Sequence, residues 1–120
     1  MATMEIKNFD SPDETRPFEG KGEARVLNIG GRVVGKAVFE PGWRWSVNIK
    51  PIAGTDSCQV SHLGYCVSGR MKVTMDDGSE REVGPGDVFA LPPGHDAETV
   101  GDEPCVALDF GEFGDYAKRH

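Results

Sequence analysis

Met71-Lys72-Val73-Thr74-Met75, Asp76-Asp77-Gly78-Ser79, Glu80-Arg81-Glu82-Val83, Gly84-Pro85-Gly86-Asp87 and Val88-Phe89-Ala90-Leu91 run on without a break. In this stretch short β-prone runs alternate with tight-turn residues. The odd positions of Met71–Met75 are apolar and the even ones polar, the period of a strand with one buried and one wet face. Asp76-Asp77-Gly78-Ser79 tolerates the positive φ that closes a hairpin onto Glu80–Val83. Gly84-Pro85-Gly86-Asp87 turns the chain into Val88–Leu91, and Pro92-Pro93-Gly94 ends that strand.

The same grammar extends both ways. Ala24–Ile29 and Val33–Phe39 flank Gly30-Gly31, a two-glycine hairpin signal. Pro41-Gly42 breaks the chain before Trp43–Ile49, which reads as a further strand. Gln59–Val67 turns through Ser68-Gly69-Arg70, and Ala97–Val100 turns through Gly101-Asp102-Glu103-Pro104 into Cys105–Phe110. About nine short strands with no helical pattern between them imply an all-β sandwich or barrel of antiparallel strands. The 16 glycines and 8 prolines in 120 residues, spread as punctuation, exclude a helix bundle. Residues 1–23 read as an N-terminal arm, in which Ser11-Pro12-Asp13-Glu14 carries a helix-start signal soon stopped by Pro17. Residues 24–110 form the barrel, and 111–120 a tail whose Phe113 and Tyr116 fold back as a short helix or anchor.

A net charge of −7, with no Lys/Arg run to offset it, argues against nucleic acid and anionic membrane as partners. Three cysteines without paired spacing do not form a disulfide framework. Met1-Ala2-Thr3-Met4-Glu5 lacks a signal-peptide profile, and no apolar run approaches membrane-spanning length. A cytoplasmic location is the expectation.

Residues 56–104 resemble the cupins, whose second motif is G-x5-P-x-G-x2-H-x3-N. Gly86, Pro92 and Gly94 fit its first half; His95 arrives two residues early, with Thr99 where the motif would end. The first motif, G-x5-H-x-H-x3/4-E-x6-G, is matched in spacing by Asp56-x-Cys58-x3-His62-x6-Gly69, with different ligand types and Lys50 in place of the leading glycine. The resemblance implies a cupin-type jelly-roll β-barrel with metal ligands at its mouth: His62 stands where a Glu is usual and His95 near the usual His.

Cys58, His62 and His95 then supply one thiolate and two imidazoles, borderline-soft ligands that suit a divalent transition metal. Zinc fits best; iron, nickel and copper are also compatible. Asp56 is either a fourth ligand or a carboxylate that orients an imidazole. The alternative is a buried Cys58 acting as a small hydrophobe, with the histidines hydrogen-bonded in a polar pocket. Cys66 and Cys105 lie in apolar strand runs and read as core. No nucleophile–base–orienter triad is legible. Trp43-Arg44-Trp45 places both indoles on one face and Arg44 with Ser46 on the other: either core packing with a surface Arg44, or indoles that wall an apolar ligand cavity, or an Arg44 that meets a carboxylate. Tyr65 is a further candidate for that pocket.

Two functions follow. One is a metal-dependent enzyme on a small polar metabolite, in the dioxygenase, isomerase or lyase range of the resembled family, with the metal as Lewis acid. The other is a non-catalytic small-molecule-binding or sensory protein whose metal is structural or absent. A homodimer is expected, its open sheet edges covered by the arm through Met4, Ile6 and Phe9.

Overall fold

The computed structural model describes residues 3–111 and 116–118. Among the described residues, nine strands form two antiparallel sheets. The larger has the order β1 (Glu14–Pro17), β2 (Gly22–Ile29), β3 (Arg32–Phe39), β9 (Cys105–Asp109), β4 (His62–Ser68), β7 (Val88–Leu91). The smaller has the order β6 (Glu80–Val83), β5 (Arg70–Met75), β8 (His95–Val100). Their inner faces share one core: Val26, Ala37, Cys66 and Ala107 from the larger sheet meet Val73 and Ala97 from the smaller. This is the antiparallel all-β architecture that the turn pattern implies, in the jelly-roll form that the cupin resemblance implies.

Local chemistry explains most of the elements. Gly30 and Gly31 both take positive φ (59° and 73°), as the two-residue hairpin between β2 and β3 requires. In β9 the odd residues Cys105, Ala107 and Asp109 are buried and the even ones half-buried. In β4, Gly64 and Cys66 face in while Leu63, Tyr65 and Val67 are exposed. His62 shares parity with the inward set.

Two stretches differ from the sequence expectation. The helix-start signal at Ser11-Pro12-Asp13-Glu14 forms no helix. Ser11 closes a turn on the Asn8 carbonyl, the Asp13 carboxylate accepts from Lys7 and from the Asn28 backbone N–H, and Glu14 begins β1. From Glu14 the expected arm is thus part of the larger sheet, paired with β2. Trp43–Ile49 is not a strand either. After a single bridge at Arg44 the chain enters two short helices, α1 (Trp45–Asn48) and α2 (Lys50–Ala53). The Asn48 side chain accepts from the Arg44 N–H at 3.0 Å and donates to the Glu19 carbonyl at 2.7 Å. Those bonds hold a turn of helix, and Pro51 could not have donated to a sheet ladder. Phe113 and His120 lie outside the described residues. Tyr116 is buried, its ring edge-on to Phe18.

Candidate metal centre

Three strand ends and one loop deliver the site. Residue 94 is glycine because the turn ahead of β8 takes φ +92° there, which launches His95 inward as the first residue of the strand. The loop after α2 is tied to β8 by a local bridge. The Cys58 N–H donates to the His95 carbonyl at 2.8 Å, and the Gly94 N–H donates to the Cys58 carbonyl at 2.7 Å. Residues opposed in an antiparallel bridge point to the same side, so the thiol and the imidazole converge. Ser57 donates to the Asp76 carboxylate at 3.0 Å, which pins the loop from its other side.

The possible ligand atoms of Cys58, His62 and His95 lie within 4.8 Å of one another. Cys58 Sγ is 3.6 Å from His62 Nε2. Each imidazole has its other nitrogen engaged: His62 Nδ1 meets the Asp109 carboxylate, and His95 Nδ1 lies 2.8 Å from the Pro92 carbonyl. With Nδ1 as the donor in both contacts, it is Nε2 of each ring that carries the lone pair in the neutral form, the tautomer that a metal ligand needs. A thiolate and two oriented imidazoles fit a tetrahedral zinc site with one position left for a ligand.

Electrostatics fits the same grouping. Burial alone would push the Cys58 thiol up, but hydrogen bonds with His62 and then His95 hold it at about 6. Burial would lower His62, but its bonds to Asp109 and Cys58 raise it to about 9. At neutral pH the pair is a thiolate and an imidazolium unless an ion displaces the proton.

A cavity of about 50 Å³ reaches the two imidazoles from the core side. Its wall includes Phe39, Trp43, Trp45, Met71, Phe89 and Leu91, and it also meets Asp109 and Tyr116. Cys58 is not on that wall; it lines a separate outer pocket with Trp45, Ile49 and Tyr116.

The sequence candidates fare unevenly. Cys58, His62 and His95 come together, and Trp43 and Trp45 are both buried on the cavity wall. Asp56 does not join them. Its side chain is fully exposed and 3.7 Å from Lys50, because the loop turns inward only at Ser57 and Cys58. Arg44 lies outside, bonded to Glu98 on the outer surface of the smaller sheet, where Glu98 also meets Lys72 at 3.0 Å. Tyr65 is 40% exposed, since it is an odd number of residues from His62 and so faces the opposite way. Cys66 and Cys105 are core thiols 4.0 Å apart, and burial pushes Cys105 to about 12.

The residue that sequence reasoning missed is Asp109. The signal was available: it continues the buried parity of Cys105 and Ala107, and an acid on a core face needs a partner. With it, Cys58–His62–Asp109 has the order of a nucleophile, base and orienter, an arrangement the sequence alone did not show.

Residues 50–111, just over half the chain, match the model of the cupin domain family. The chain belongs to the cupin family. A search of curated proteins found no match. Among solved structures, this cupin is similar to KdgF from Halomonas sp., with 17% identity, a TM-score of 0.65 and coverage of 95% of this chain and 97% of that one. It is similar to an RmlC-like cupin from Shewanella frigidimarina at 18% identity, a TM-score of 0.63 and 94% and 95% coverage. The polyketide cyclase RemF from Streptomyces resistomycificus aligns at 21% identity and a TM-score of 0.64, covering 89% of this cupin and 78% of the cyclase. These likenesses concern the fold.

Proposed function

We propose that this cupin holds one divalent transition metal, zinc by preference, on Cys58, His62 and His95, and binds a small molecule at the ion's remaining position. The observation that supports it most is the convergence of two imidazoles on the Cys58 thiol, each with its Nδ1 occupied and the three possible ligand atoms within 4.8 Å of one another. When held by these residues, the ion would supply Lewis acidity toward an oxygen atom of the ligand. Asp109 holds the proton on His62 Nδ1 and fixes the ring, and the Pro92 carbonyl does the same for His95.

A thiol nucleophile activated by His62 and Asp109 is a weaker reading. It leaves the His95 convergence without a role, and the sulfur is not on the cavity wall. Binding is favoured over catalysis by the other ionisable groups on that wall. Asp109 is held by His62 and by the Gly111 N–H, while burial pushes Cys66, Cys105 and Tyr116 up. None is a free base at neutral pH. Three free thiols suit a reducing compartment such as the cytoplasm. No helix among the described residues is long and apolar enough to cross a membrane.

Metal content per chain, measured on untagged protein titrated with zinc, iron, nickel and copper, tests the proposal. Wild type should take up one ion and His95→Ala should lose most of it. A wild type that takes up none of the four at neutral pH overturns the reading.

A further inference from the structure

We infer that the ligand is a short neutral aliphatic molecule with a single oxygen head, its head at the ion and its chain in the apolar cavity. The head-group half rests on the metal reading above; the chain half rests on the cavity alone. It replaces the small polar metabolite that family resemblance suggests.

Size comes first. The cavity measures about 50 Å³. An apolar cavity of about 150 Å³ holds the six carbons of benzene, so this one takes about two non-hydrogen atoms. Polarity comes second. Phe39, Met71, Val73, Val83, Phe89 and Leu91 make the wall apolar, and a polar ligand body would forfeit its hydration there without recompense. Hydrogen bonding comes third. Nε1 of Trp43 and of Trp45 is fully buried with no acceptor in the protein among the described residues. Both indoles border the cavity, and buried donors are rarely left unpaired. An oxygen head supplies an acceptor, since the Asp109 carboxylate on the same wall is already engaged by His62 and by the Gly111 N–H.

Charge selects a neutral head. A divalent ion, the Cys58 thiolate and the Asp109 carboxylate sum to zero when both imidazoles are neutral. A carboxylate ligand would leave a net negative charge in a site closed off by tryptophan and phenylalanine, where desolvation is costly. An alcohol or carbonyl oxygen would not.

The test is a homologous series. Primary alcohols from methanol to 1-hexanol are titrated into zinc-loaded and chelator-treated full-length protein, followed by calorimetry and by tryptophan fluorescence. In both forms each added methylene should tighten binding by about fourfold until the chain fills the cavity, at about two carbons, after which affinity should drop. Zinc loading should tighten every member, and carboxylates of equal length should bind at least about tenfold more weakly to the loaded form. Met71→Ala, which lengthens the cavity, should move the optimum to a longer chain. Val83→Ala on the same wall serves if that variant does not fold. Zinc uptake with affinities independent of chain length, or with carboxylates preferred, overturns this inference and leaves the metal reading standing. A clear chain-length optimum in protein that takes up no ion overturns the metal reading and the head-group assignment with it.

Discussion

Replacing Asp109 with Asn should move a proton from nitrogen to sulfur. In the metal-free wild type, Cys58 titrates at about 6 against an ordinary 9.0, and His62 at about 9 against an ordinary 6.5. At pH 7 roughly nine-tenths of Cys58 is then thiolate, where an ordinary thiol would be about one-hundredth ionised. A neutral amide in place of the carboxylate cannot stabilise an imidazolium, so His62 loses its strongest support for the extra proton and the thiolate loses its partner. Thiolate absorbance in the ultraviolet, followed against pH with Cys58→Ser as the blank, should show a midpoint near 6 in wild type. In Asp109→Asn that midpoint should rise, leaving a minority of thiolate at neutral pH. Zinc affinity, read by chelator competition, should fall roughly 10–100-fold, as for the loss of a carboxylate that orients a ligand imidazole. Stability should respond far less to pH than these shifts suggest. The raised His62 contributes stability that is full below 6.5 and lost as pH rises through about 9. The depressed Cys58 contributes stability that is full above 9.0 and lost as pH falls through about 6. The two losses run in opposite directions across one window. Folding mainly changes which atom holds the proton and leaves the number bound nearly constant, so the pair's net slope stays shallow between about 6 and 9. An unchanged thiolate midpoint in Asp109→Asn, or a wild type with no thiolate at neutral pH, would refute the reasoning.

Zinc must displace the His62 proton across that window, so affinity should weaken by about tenfold per pH unit as pH falls from about 9 to 6, and more steeply once Cys58 also protonates. A pH-independent Kd from chelator competition would contradict this. Asp56→Asn should leave zinc affinity unchanged, because the exposed Asp56 faces Lys50 and not the site; a loss comparable to that of Asp109→Asn would restore it as a ligand. Trp43→Ala should cost about 3–5 kcal/mol in urea denaturation, since the ring packs 4.3 Å from Phe39 and 6.1 Å from Phe18 between centroids. A wild-type midpoint would show that the indole carries little of the core. We further propose that the protein is a homodimer. Met4 and Ile6 are 87% and 84% exposed on the arm, and Leu63, Val67 and Val88 are open on the outer face of the larger sheet. Light scattering that gives a monomer mass at every micromolar concentration would end that proposal.

The strands were legible in the sequence because strand formation here is a local matter. Alternation along Met71–Met75, the turn at Gly30-Gly31 and the run Val88–Leu91 each announce themselves within a few residues, and β6 and β7 fall on the residues expected. Motif spacing likewise marked Cys58, His62 and His95, and Gly94 sets the corner that carries the last of them. The rest depended on contacts that short-range reading cannot register. Whether Trp43–Ile49 became strand or helix was settled by Asn48 reaching back to Glu19, 29 residues away. Asp56 was turned out to solvent by a loop whose path is set by Ser57 on Asp76 and by Cys58 on His95. Asp109 reached His62 across 47 residues because β4 and β9 are neighbours in the larger sheet. Residue type and parity name the donors, but sheet pairing decides which acid stands beside which imidazole, because hydrogen bonds and charge act over ångströms of space and not along the chain.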